Sequence, residues 1–200
     1  MVFANRIAVL AAMAAVLLGL NATTTAANLR TPLRTSRPRP AASPASDEQY
    51  HLRMHHLHTG EDIDVVYRIG NTYIPEALDQ LNHFLRDHRT QDVSNYDPKE
   101  FDVLHALMAS LGRPNGIIDI VCGYRTPWSN NLLRSSGPST GVAEHSQHML
   151  AKAIDIRVPG VSTVTLRNAA LALHAGGVGF YPVSQFVHVD VGPVRTWSYR

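Results

Sequence analysis

Beyond residue 50 the spacing of apolar side chains switches between a period of two and a period near 3.6, and each switch predicts an element. His51 to Leu57 alternates as a strand, His58-Thr59-Gly60 turns, and Ile63 to Ile69 returns, which predicts a hairpin. Ile74, Ala77, Leu78, Leu81, Phe84 and Leu85 fall on one face of a helix over 74–88. A second helix opens at Asp97, with Pro98 at its first position and Glu100 completing a capping box. Its buried stripe is Phe101, Leu104, Leu107, Met108 and Leu111, and Gly112 stops it.

The second half continues the alternation. Ile117 to Gly123 is short, apolar and β-branched, a central strand. Residues 128–134 predict a short helix with Leu132 and Leu133 inward, and 135–146, rich in Gly, Ser and Pro, a loop. Ala153 to Val158 alternates as a strand, and Ser162 caps a helix through Leu166, Ala170 and Leu173. Val178 to Tyr181 and Phe186 to Val191 are the last strands.

The first 48 residues have neither period. Arg6 precedes fourteen apolar residues, Ile7 to Leu20, and Thr25-Ala26-Ala27 offers small residues for cleavage. This reads as a secretory signal over 1–27, of the Sec type because no arginine pair precedes the apolar run. Residues 28–48 carry Pro32, Pro38, Pro40 and Pro44 among arginines, a flexible linker. The expectation is an exported, periplasmic domain over 49–200, with no stable membrane span after processing.

Composition narrows the function. The net charge of +2 comes from this leader, since residues 51–200 hold 13 Arg+Lys against 14 Asp+Glu, so the body lacks the basic surface that nucleic acid requires. One cysteine, Cys122, excludes both an internal disulfide and a metal site built on cysteine pairs. In its apolar run it reads as a buried, inert thiol. His51, His55, His56 and His58 look like a metal cluster, but strand alternation puts His56 and His58 on one side and His55 on the other. They are expected to be packing or solvated residues.

The stronger constellation lies downstream. His148 and Asp155 are seven positions apart, and Asp155 is the charged residue of an otherwise apolar strand, so it must be solvated, paired or metal-bound. In Phe186-Val187-His188-Val189-Asp190, the valines share one face and hold His188 rigidly on the other. Two imidazoles and a carboxylate suit Zn2+ with an open fourth position. Arg125, at the end of the central strand, can fork onto a substrate carboxylate or form a structural ion pair.

Ser146-x-His148-x6-Asp155 followed by Phe186-Val187-His188-x-Asp190 resembles the D-alanyl-D-alanine-type zinc peptidases, the family that includes lysostaphin and hedgehog-like domains. Within it the chain is most similar to the bacterial murein endopeptidase K group, in Gly123-Tyr124-Arg125, Ala175 to Pro182 and Phe186 to Trp197. The resemblance spans His51 to Trp197. It implies an α+β fold with a small central antiparallel sheet and flanking helices, hedgehog/D-Ala-D-Ala peptidase-like. It implies His148, Asp155 and His188 as zinc ligands and hydrolysis of peptidoglycan peptide cross-links, between diaminopimelate residues in the group known best. Arg125 would then anchor a substrate carboxylate. Two alternatives stay open: a cell-wall-binding module with structural zinc, and a murein carboxypeptidase. The chain departs from many relatives at Leu150 and at Ala151, where they have glycine. The general base is unassigned; Asp190 is the first candidate, as base or as a partner orienting a ligand, and Glu144 and His145 are the others.

Overall fold

The computed structural model describes residues 48–137 and 140–199, so the expected signal and nearly all of the linker lie outside the described residues. The hairpin forms as β1 (Gln49–His56) and β2 (Asp62–Ile69), with β3 (Thr72–Tyr73) added to β2. Then come α1 (Pro75–Phe84), α2 (Pro98–Ser110), β4 (Ile117–Cys122) and α3 (Pro127–Arg134). A 3₁₀ turn (Gln147–Leu150) leads into β5 (Ala153–Arg157) and α4 (Thr163–Leu173). The strands β6 (Gly177–Tyr181), β7 (Phe186–Asp190) and β8 (Arg195–Ser198) finish the described chain.

The fold is α+β, but the sheet is neither small nor antiparallel throughout. Eight strands lie in the order β3-β2-β1-β4-β5-β7-β6-β8. β1 runs parallel to β4, and β6 parallel to β8. The first pairing follows from the helical crossover α1–α2, which returns the chain in its original direction. The second arises because β7 intervenes in sequence and turns the chain twice.

The core is one apolar cluster between the sheet and its helices. Leu52, Met54, Ile118, Ile120, Ile154, Ile156, Val187 and Val189 from the strands meet Leu81, Phe101, Leu104, Leu107 and Leu166 from α1, α2 and α4. Burying each such side chain contributes about 1.5–3 kcal/mol. Alternation along β5 and β7 then directs Asp155 and His188 to the opposite face of the sheet.

Three local expectations need correction. α1 ends at Phe84 rather than His88, because Arg86 turns to Glu61 at 2.8 Å and the Asp87 carboxylate accepts from Thr126 N and Oγ1 at 2.8 and 2.9 Å. Asp97 caps α2 through Lys99 N, but no capping box closes: the Asp97 N–H donates to Ala151 O, and the Glu100 carboxylate is buried without a hydrogen bond. In α3 the inward residues are Ser129 and Asn130, while Leu132 is exposed. Polar contacts set its rotation: Asn130 donates to Ala143 O at 3.0 Å.

Candidate metal centre

A single transverse row crosses five strands. Cys122 pairs with Asp155, Asp155 with His188, His188 with Gly179, and Gly179 with Trp197. Paired residues on neighbouring strands project to the same face, so the pairing brings Asp155 and His188 side by side although 33 positions separate them. A β-bulge between Ile120 and Cys122 re-aims β4 so that Cys122 rather than Val121 meets Asp155.

His148 arrives from the 3₁₀ turn above β5 and is fully buried. Ser146 caps that turn, its Oγ accepting from His148 N at 3.3 Å. Ala151 ends it in the left-handed region at φ 50°, a conformation that favours glycine.

Three atoms converge. His148 Nε2 lies 3.0 Å from His188 Nδ1 and 3.2 Å from Asp155 Oδ1, and His188 Nδ1 lies 2.9 Å from Asp155 Oδ1. The outer ring nitrogens fix the tautomers. His148 Nδ1 donates to Gly123 O at 2.8 Å, and His188 Nε2 donates to Asp190 Oδ2 at 2.9 Å. In the neutral rings both inner nitrogens therefore present lone pairs to the Asp155 carboxylate. One donor atom from each of Cys122, His148 and Asp155 also falls within a 4.8 Å group, so these residues form a cluster able to hold a metal ion.

The electrostatics follow from burial and pairing. Burial pulls the His148 pKa down to about 4. Burial opposes the Asp155 charge too, but His148 and His188 outweigh it and hold that carboxyl well below the usual range. For His188 burial lowers the pKa, and the carboxylates of Asp155 and Asp190, as hydrogen-bond acceptors and as negative charges, reverse the net shift to upward. Burial pushes the Cys122 thiol up to about 12, which keeps it protonated.

A cavity of about 170 Å³ opens on the triangle, lined by His148, Asp155, His188, Arg125, His145 and an aromatic wall that includes Tyr181 and Trp197. Arg125 is 93% buried, as its 7% relative exposure gives, and donates to Ser146 Oγ at 3.1 Å. Among the described residues no carboxylate forms an ion pair with it, and its Nε has no hydrogen-bond partner. Asp190 lies behind the His188 ring. Its oxygens accept from His188, Gly177 N, Gly192 N and both terminal nitrogens of Arg195. Glu144 is exposed and 3.6 Å from Arg134.

The upstream histidines do not join this centre. His55 pairs with Asp62 at 2.9 Å, and the rings of His58 and His88 stack at 4.2 Å beside His56. Sequence reasoning overlooked the Gly123 carbonyl, Arg195 and the packing of Trp197 on His188 at 5.1 Å. The available signal was the i, i+2 spacing of Arg195 and Trp197, which puts both on one face of an edge strand.

Comparison with known proteins gives the family. No solved structure gives a significant match. The chain is 43% identical over 146 residues to peptidoglycan L,D-endopeptidase MepK of Escherichia coli strain K12, covering 73% of this chain and 79% of that protein. It is 39% identical over 147 residues to the probable peptidoglycan L,D-endopeptidase MepK of Haemophilus influenzae, covering 74% and 78%. The model of the Peptidase_M15_2 family, described as peptidoglycan L,D-endopeptidase MepK, matches residues 44–197. With most of its length matched, the chain belongs to the Peptidase_M15_2 family.

Proposed function

We propose that this chain is a zinc-dependent murein endopeptidase that hydrolyses the peptide cross-links of peptidoglycan, with diaminopimelate–diaminopimelate links as its substrate. The observation that carries the reading is the triangle of His148 Nε2, Asp155 Oδ1 and His188 Nδ1, with edges of 2.9–3.2 Å. Tetrahedral zinc with bonds of about 2.0–2.1 Å needs ligand atoms roughly 3.3 Å apart. Both inward nitrogens carry lone pairs and the carboxylate is anionic, so a divalent cation satisfies all three. Family membership adds the peptidoglycan substrate, and the relatives are named as L,D-endopeptidases.

When bound, zinc supplies Lewis-acid polarisation of the scissile carbonyl and acidifies water. The chain's own residues supply the rest. Gly123 O and Asp190 hold the two imidazoles in the tautomers that point lone pairs inward. Asp190 thus acts as the orienting partner, since its oxygens already accept five hydrogen bonds. Arg125, buried and, among the described residues, free of a carboxylate partner, anchors a substrate carboxylate at the cavity wall. Of the remaining proton-transfer candidates, His145 lines the cavity and Glu144 does not, so His145 takes the role of proton acceptor.

The hedgehog/D-Ala-D-Ala-peptidase-like architecture belongs to the same reading, with β1 to β3 and β8 extending its central strands. So does a periplasmic location. Among the described residues no helix is long and apolar enough to cross a membrane.

The deciding experiment is digestion of peptidoglycan of defined muropeptide composition, with zinc and with a chelator. Loss of cross-linked muropeptides with zinc alone is the expected result. Unchanged muropeptides from zinc-loaded protein identify a binding module, and release of terminal residues alone identifies a carboxypeptidase.

A further inference from the structure

We infer that Arg195, on the last strand, is a positioning residue that holds His188 in its metal-binding tautomer and orientation through Asp190. The inference rests on the metal-site reading above and extends it to a residue outside the ligand set.

The geometry forms a relay of one cation, one carboxylate and one imidazole. Arg195 Nη1 donates to Asp190 Oδ1 at 3.0 Å and Nη2 to Asp190 Oδ2 at 2.7 Å, a bidentate fork. Oδ2 also accepts from His188 Nε2 at 2.9 Å, which leaves His188 Nδ1 as the atom facing His148 and Asp155. The Asp190 side chain is fully buried, and a buried carboxylate needs a counter-charge to stay ionised. Only a correctly rotated Asp190 places Oδ2 against His188 Nε2, and the fork fixes that rotation.

The sheet is shaped around this fork. Gly177 pairs with Arg195 on the neighbouring strand, and a Cβ there would collide with Asp190 Oδ2 and Arg195 Nη1. Two residues further along, a Cβ on Gly179 would lie 2.6 Å from the indole of Trp197. That indole crosses over Gly179 to rest on the His188 ring at 5.1 Å, and its Nε1 donates to Tyr181 OH at 3.0 Å. The Arg195 guanidinium in turn lies 4.9 Å from the Trp197 ring. One face of β8 thus grips His188 from its far nitrogen and from its ring face. Two glycines on β6 make the room.

The test compares wild type with Arg195→Gln and Arg195→Lys in the full chain. Zinc affinity is measured by chelator competition, and the His188 tautomer by ring ¹⁵N shifts of the metal-free protein. Losing an outer partner of a ligating histidine typically costs 10–100-fold in metal affinity. Arg195→Gln is expected to lose that much and to show a mixed His188 tautomer. Arg195→Lys, with one cation and no fork, is expected to recover part of both. Wild-type zinc affinity and tautomer in Arg195→Gln would overturn the inference. If Arg195→Gln does not fold, Arg195→Lys decides: full wild-type affinity and tautomer overturn the inference, and an intermediate loss sustains it. Failure of the wild type itself to bind zinc would instead sink the metal-site reading.

Discussion

His148 Nε2 and His188 Nδ1 face each other across 3.0 Å with their ring protons committed elsewhere, one to the Gly123 carbonyl and the other to Asp190. Two lone pairs at that separation repel unless a proton or a cation stands between them. Asp155 and Asp190 raise the His188 pKa against the effect of burial, so as pH falls a proton takes that place. Metal uptake must expel it. Zinc affinity is therefore expected to fall by at least about tenfold for each pH unit below the folded His188 pKa. Chelator competition across pH 5 to 8 measures this, and a flat profile would contradict the proton–metal exchange.

Cys122 lies in the same row and shares the 4.8 Å cluster, yet burial keeps its thiol protonated, with a pKa near 12. Cys122→Ala is expected to retain one equivalent of zinc, and native protein to resist thiol reagents until it unfolds. A variant purified without metal would make Cys122 a ligand.

His145 is the proton acceptor in the proposed reaction and lines the cavity without belonging to the proposed ligand set. His145→Ala is expected to lower kcat by about 10²–10⁴ while zinc content stays at the wild-type level. Steady-state cleavage of a purified cross-linked muropeptide checks the rate, and metal analysis the zinc content.

Ala151 occupies the left-handed region at φ 50° directly after the turn that carries His148. That conformation costs an L-residue about 1–2 kcal/mol, while glycine adds roughly 0.5–1 kcal/mol of unfolded-chain entropy. Ala151→Gly is expected to stabilise the protein by about 0.5 kcal/mol, read from urea unfolding midpoints. A loss of 1 kcal/mol or more would show that the buried methyl group outweighs the strain.

His56 sits outside the site, buried beside Phe84, with Nδ1 accepting from His58 N and Nε2 without a hydrogen-bond partner among the described residues. Burial depresses its pKa from 6.5 to about 4. A depressed pKa means that the unfolded chain binds the proton first. The stability involved is fully present above pH 6.5 and drains away as pH falls towards 4. The loss is on the order of 1–3 kcal/mol. Urea unfolding of metal-free protein at pH 7 and pH 4.5 should show it, with a smaller drop in His56→Gln.

Much of this was legible because it is local. Phe101, Leu104, Leu107 and Met108 announce α2 by spacing alone, and all four are buried. His188 between Val187 and Val189 announces a rigidly held side chain, and both valines lie in the core. What escaped depends on tertiary pairing. The direction of β4 against β1 is decided by the crossover between them, and no residue of either strand encodes it. The rotation of α3 is set by the Asn130 contact with Ala143, against the apolar pattern that pointed to Leu132. The fork from Arg195 to Asp190 requires knowing that β8 lies alongside β6, its neighbour but one in the chain.

The sheet order also carries a consequence in time. β8 is an edge strand and follows every other strand in the chain. All three converging side chains are synthesised before it, and the row through Asp155, His188 and Gly179 stays open on one side until Trp197 docks. Contacts between such distant segments are the slow ones to form. A nascent or clipped chain that stops short of residue 195 therefore displays the converging residues without the edge that steadies them. The support of the converging side chains thus depends on the part of the described chain that is synthesised last.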